Sequence, residues 1–163
     1  MATELQRNTV LTLDQMLIRK NFWTLFGAKF RIFDMNGALV ATSKQKAFKL
    51  KEDIRVYQDE AMTQELLTIH ARGVIDFGSA YDVIDATTGE KVGALARKGW
   101  KSVFRDEWHI LDMDDQVSGT IMEDSGAMAL VRRFLINLIP QTFNITFEGN
   151  HVGSIKQHFN PFV

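Results

Sequence analysis

The residues best suited to chemistry lie in one basic stretch. Lys91, Arg97, Lys98, Lys101 and Arg105 follow one another with no acid between them, and Trp100 and Phe104 are interleaved. Cations beside an aromatic ring suit an anionic phospholipid headgroup, with the charges at the phosphates and the indole at the interfacial level. Lys91, Arg97, Lys98, Trp100, Lys101 and Arg105 are therefore the candidate lipid-binding residues. A solvated basic rim competes with that reading and fits the pattern better, because Phe22 and Leu135 occupy the same place as Trp100 in a repeat set out below. A second cluster, Lys44, Lys46, Lys49 and Lys51, runs into Glu52 and Asp53 and reads as a solvated strand face protecting a sheet edge.

Asp112, Asp114 and Glu123 stand at positions one, three and twelve of a calcium-loop spacing. Position six demands glycine for the sharp turn, and Val117 stands there. Apolar alternation through Val117 and Ile121 reads as strand, so Asp112, Asp114 and Asp115 are expected in an exposed hairpin turn with no metal. His70, His109, His151 and His158 lack metal-ligand spacing and fall in separate strand candidates. No G-x-S-x-G, H-E-x-x-H, P-loop or G-x-G-x-x-G occurs, and Asp76-Phe77-Gly78 has no kinase context around it. The expectation is a chain that is not an enzyme and needs no cofactor.

Composition narrows the classes further. The chain has 163 residues, 45% hydrophobic, with 19 basic and 20 acidic side chains, which suits a soluble domain and not a nucleic-acid binder. With no cysteine, disulfides and thiolate metal sites are excluded and a reducing compartment fits. No apolar run is long enough to span a bilayer as a helix, and Met1 to Val10 lacks the apolar core of a secretory signal. Cytoplasmic location, free or peripheral to a membrane, is the expectation. Residues 1–14 read as an extension and 15–163 as a single domain.

Period-two alternation dominates. Phe30 to Phe33 with Ala38 to Ala41 across Asp34-Met35-Asn36-Gly37 reads as a hairpin. Tyr81 to Asp85 with Glu90 to Arg97, Trp108 to Asp112 with Gln116 to Glu123, and Phe143 to Phe147 with His151 to His158 repeat the plan. Met62 to Ala71 adds a strand candidate. Beneath the hairpins lies a repeat that begins at three basic pairs, Arg19-Lys20, Arg97-Lys98 and Arg132-Arg133. Apolar residues follow at Phe22, Leu25 and Phe26, at Trp100, Val103 and Phe104, and at Leu135, Leu138 and Ile139. Then come Phe30 and Ile32, Trp108 and Ile110, Phe143 and Ile145. Spacing of three and four predicts a short helix, and spacing of two predicts the strand after it. At most two short helices are expected, at Lys20–Phe26 or Lys98–Phe104 and at Gly126–Ile139. Phe30, Ile32, Tyr81, Val83, Trp108, Ile110, Phe143 and Ile145 should face inward. The unit predicts an all-β, closed or nearly closed antiparallel barrel.

The basic pair, apolar connector, aromatic-x-Ile strand and glycine turn resemble the LURP-one-related and phospholipid-scramblase families, which share the tubby C-terminal-like fold. The resemblance runs from Met16 to Val163. Tyr81 to Arg105, Glu107-Trp108, and Arg132-Arg133-Phe134 through Asn160-Pro161-Phe162 resemble uncharacterised bacterial members in particular. It implies a barrel wrapped around a hydrophobic C-terminal helix. It also implies a non-enzymatic module that binds phospholipid: tubby domains bind phosphoinositides and scramblases are linked to calcium-dependent lipid movement. The alternative is a structural or protein-interaction domain without a small ligand, since fold does not fix function. Two features depart from the scramblases: this chain has no cysteine for palmitoylation, and its sequence stops at Val163 where the central helix would follow. Gly126 to Ile139 is a poor substitute, because Arg132 and Arg133 would be buried with it at several kcal/mol per ion, by order of magnitude. The expectation is a chain incomplete at its C-terminus, with an open apolar groove or cavity that a protein or helix covers. A peptide carrying the family's apolar helix should then raise the melting temperature, and an unchanged melting curve would count against the groove.

Overall fold

In the computed structural model the described residues are 12–21, 28–45, 53–73, 80–98, 107–124 and 141–158. They form eleven strands and, among the described residues, no helix. The strands are β1 (Leu17–Asn21), β2 (Ala28–Phe33), β3 (Leu39–Gln45), β4 (Asp53–Tyr57), β5 (Glu65–Ala71), β6 (Ala80–Asp85), β7 (Lys91–Arg97), β8 (Glu107–Leu111), β9 (Val117–Glu123), β10 (Thr142–Phe147) and β11 (Asn150–Lys156). Their order in the sheet is their order in the chain. All four hairpins expected from alternation are present, as β2–β3, β6–β7, β8–β9 and β10–β11. Closure is not: among the described residues no ladder joins β11 to β1.

Three local expectations change. Arg19 and Lys20 lie in β1, paired with Arg31 and Phe30 of β2, where the repeat predicts a helical turn. Pairing with β2 holds both in extended backbone, so no helix can begin before Asn21 ends the pairing. Lys44 is exposed as expected, but β3 lies between β2 and β4 and is no edge. The strand anticipated from Met62 begins at Glu65, because Met62 adopts a left-handed φ of 60° in the preceding turn. The apolar connectors of the repeat, including Phe22–Phe26, Trp100–Phe104 and Gly126–Ile139, lie outside the described residues.

Contacts cluster into two compact units, Met1–Ala71 with Val83–Lys91, and Arg72–Asp82 with Val92–Val163. Each contains one copy of a repeat that extends well past the basic pairs. An offset of 78 residues carries Asp34 onto Asp112, Gly37 onto Asp115 and Ala41 onto Gly119. The two turns are built alike. Asp34 Oδ1 accepts from the Asn36 and Ala38 amides at 2.9 and 2.8 Å, and Asp112 Oδ1 accepts from Asp114 and Gln116 at 2.9 and 2.8 Å. Both hairpins carry an irregularity at the matching place, between Ile32 and Phe33 and between Ile110 and Leu111. Where Gly37 takes a φ of 83°, Asp115 takes 63° and turns its carboxylate to Arg72, which also grips Asp82 through two nitrogens.

Directly paired residues point to the same side of a sheet. In the first unit one face therefore carries Ile18, Phe30, Ile32, Ala41, Ser43, Val56 and Leu67. In the second it carries Leu95, Trp108, Ile110, Ile121, Phe143 and Ile145. All eight residues expected to face inward are half-buried and none is exposed. Tyr81 and Trp108 place their rings 5.9 Å apart, tilted by 45°. The buried apolar residues among those described are small or medium: Ala41, Leu66, Ala71 and Ala94.

Close strand approach keeps one position of the second unit smaller still. Gly119 sits at the place of Ala41, and a Cβ there would run into the Thr146 carbonyl oxygen and press on Ile110 at 3.3 Å. The obstacle is backbone, so relief requires β10 to move. Gly119→Ala should destabilise the protein by about 1–3 kcal/mol in urea unfolding, whereas Gly37→Ala meets no atom within 4 Å and suffers only its positive φ. A neutral Gly119→Ala would show that β9 and β10 can separate freely.

Candidate functional site

The basic stretch does not assemble as one patch. Lys91 is the first residue of β7 and Arg97 the last, which separates them by roughly 20 Å at about 3.3 Å per residue. Lys91 is half-buried. Arg97 is half-buried opposite Trp108, on the apolar face. Lys98 follows β7 and is held to β8 twice, by its amide on the Glu107 carbonyl at 3.1 Å and by its ammonium on Glu107 Oε1 at 2.7 Å. His109 Nε2 lies 3.4 Å from the same oxygen. Trp100, Lys101 and Arg105 lie outside the described residues.

The carboxylates of the calcium-like spacing are far apart. Asp112 caps its own turn and Asp115 holds Arg72, while Glu123 is 2% exposed at the far end of β9, roughly 20 Å away along the strand. His109 and His151 occupy one cross-strand row through Thr120 and Thr146, with two strands between them. Among the described residues no three His, Asp or Glu side chains converge as metal ligands.

A different set does converge, and local sequence reading missed it. On the face opposite Phe30 and Ile32, one cross-strand row runs Lys29, Lys44, Arg55. The next runs Arg19, Arg31, Thr42, Tyr57. Like charges directly opposite cost each pair a few tenths of a kcal/mol to about 1 kcal/mol. Carboxylates offset part of this. Glu60, on the turn after β4, accepts from Arg31 Nε at 2.9 Å and Lys29 Nζ at 3.4 Å. Arg55 holds Asp53 and Glu65 at 3.2 and 2.9 Å. The bond from Arg31 keeps the Glu60 carboxyl below its ordinary range. Lys44 is exposed and has no acidic partner among the described residues. Thr42 Oγ1, in a fully buried side chain, has no hydrogen-bond partner there either. The signal was in Lys29-Phe30-Arg31-Ile32, where cations alternate with apolar residues, but which cations align across strands depends on register.

The Lys98–Glu107 pair is open to direct test. The Lys98 hydrogen bond holds the Glu107 carboxyl below the ordinary glutamate value of 4.5. A depressed carboxyl stabilises the fold above its unfolded value and ceases to do so as the pH falls through the folded one. Lys98→Met should therefore cost about 0.5 kcal/mol at pH 7, given the solvent exposure of the pair. It should also return the Glu107 titration, read by NMR, to the ordinary range. An unmoved titration would assign the depression to another group.

A family model described as LURP-one-related matches residues 39–163, well over half the chain. Among curated proteins and among solved structures nothing matches. No helix among the described residues is long and apolar enough to cross a membrane, which says nothing of strands. The matched stretch contains nine of the eleven strands, from β3 to β11, and with them the half-buried strand faces and the Asp112 turn. The chain belongs to the LURP-one-related family, whose domain is tubby-like.

Proposed function

We propose that this chain is a non-enzymatic, cytoplasmic binding module that docks peripherally on anionic phospholipid. One observation carries the reading. Met16, Leu17 and Ile18 are 49%, 39% and 61% exposed, and the exposed Arg19 and Lys20 follow them directly. Exposed apolar side chains contiguous with cations are what an interfacial anchor requires: the former enter the headgroup boundary while the latter meet the phosphates. Arg19 and Lys20 rest over the rings of Phe33 and Phe30 at 5.4 and 6.0 Å, which limits how far their charges wander. The basic stretch from Lys91 to Arg105 would contribute through Lys101 and its neighbours.

The alternative is a structural or protein-interaction domain, and one contact favours it: Lys98 is already engaged by Glu107 within its own sheet. Flotation with vesicles of phosphatidylcholine, with and without phosphatidylserine, separates the two. The membrane reading expects binding to the anionic vesicles alone, weakening with salt. Arg19→Ala with Lys20→Ala should lower affinity on the order of thirtyfold, at about 1 kcal/mol per charge. Lys98→Glu with Lys101→Glu should lower it further. Absence of binding at every lipid composition would leave the interaction reading.

A further inference from the structure

The cationic rows of the first unit are not demanded by the fold, and the second copy of the repeat shows it. At the 78-residue offset Lys29, Arg31 and Lys44 correspond to Glu107, His109 and Met122. Arg55, opposite Lys44, has its counterpart in Asn144, opposite Met122. The same ladder positions thus hold one acid, one histidine and two uncharged residues where nothing but folding is asked of them in common. Aligning Lys29, Lys44 and Arg55 side by side works against stability, so the alignment needs another reason.

We propose that the face of β2, β3 and β4 bearing Lys29, Arg31, Lys44 and Arg55 binds phosphate groups, with the Glu60 carboxylate as their intramolecular competitor. Glu60 already bridges Lys29 and Arg31 as an anion would, from an exposed turn that can release it. Charge favours the exchange. With Arg19 opposite Arg31, five cations face three carboxylates, Asp53, Glu60 and Glu65, and withdrawal of Glu60 leaves three positive charges, more than one phosphate dianion carries. Arg31 offers a planar fork and the two lysines offer point charges, a combination that suits an oxyanion with three acceptor oxygens better than a single carboxylate.

The phosphate can come from a soluble polyanion or from a lipid headgroup, and two titrations distinguish them. One uses sodium tripolyphosphate by calorimetry; the other uses phosphatidylcholine vesicles containing phosphatidic acid. In whichever arm the native protein binds, Lys44→Ala should weaken binding at least tenfold and Glu60→Gln should tighten it severalfold. Melting curves verify that both variants fold, and the exposure of Lys44 and Glu60 makes that the expected result. Tripolyphosphate binding with this pair of responses stands even if the membrane reading built on Arg19 and Lys20 falls. The proposal is overturned if neither probe binds. It is equally overturned if Glu60→Gln binds no tighter than the native chain, or if Lys44→Ala binds as well.

Discussion

Cross-strand register decides which side chains share a face, and a slip of one residue exchanges the two faces. The two copies of the repeat differ by such a slip at their first ladder. Arg97 pairs with Trp108, whereas its counterpart Arg19 pairs with Arg31, and Lys20 pairs with Phe30. Arg97 is consequently half-buried on an apolar face, while Arg19 joins a row of polar and charged residues. Two basic pairs that look equivalent in sequence thus enter different surroundings. Every other property described above, from the half-buried aromatic row to the cationic face, follows from pairings of this kind.

The same constraint concentrates polar groups that must then be satisfied. Arg55 is held between Asp53 and Glu65, whose hydrogen bonds raise its pKa above the ordinary value, and Glu65 also accepts from Thr68. Arg72 is raised in the same direction by Asp82 and Asp115. Asp115 illustrates how a local cost is offset. A non-glycine residue at positive φ is strained by about 1 kcal/mol or more, and aspartate is among the residues that tolerate it best. Its side chain returns a charge-assisted bond to Arg72 that Gly37, in the matching turn, cannot make.

Much of the fold was legible because alternation, turn residues and the repeat agree with one another. Phe30 and Ile32, Trp108 and Ile110, and the Asp34 and Asp112 turns could all be placed from local pattern. β1 and β4 could not. Leu17-Ile18-Arg19-Lys20-Asn21 has no alternation, and it is a strand because β2 pairs with it. Asp53-Ile54-Arg55-Val56-Tyr57 does alternate, but it was hidden behind the lysine cluster before it. The candidate site was the least legible part. Charge density along the chain drew attention to Lys91–Arg105, whose members spread along β7 and beyond, while Lys29, Lys44 and Arg55 are far apart in sequence and meet only across strands.

A sheet whose spatial order is its order in the chain has a consequence for how the molecule is made. Each strand finds its partner in the strand synthesised just before it, so among the described residues no strand pairing must wait for a distant part of the chain. Loop-closure entropy is small for such neighbours, and low contact order favours fast folding among β proteins. A meander of this kind can grow hairpin by hairpin as it leaves the ribosome, its newest strand always the exposed edge. The interval between one strand and the next then sets how long each edge stays open to the wrong partner. By that measure the longest wait falls between β9 and β10, where 18 residues, from Asp124 to Gln141, must be added before Phe143 can pair with Glu123.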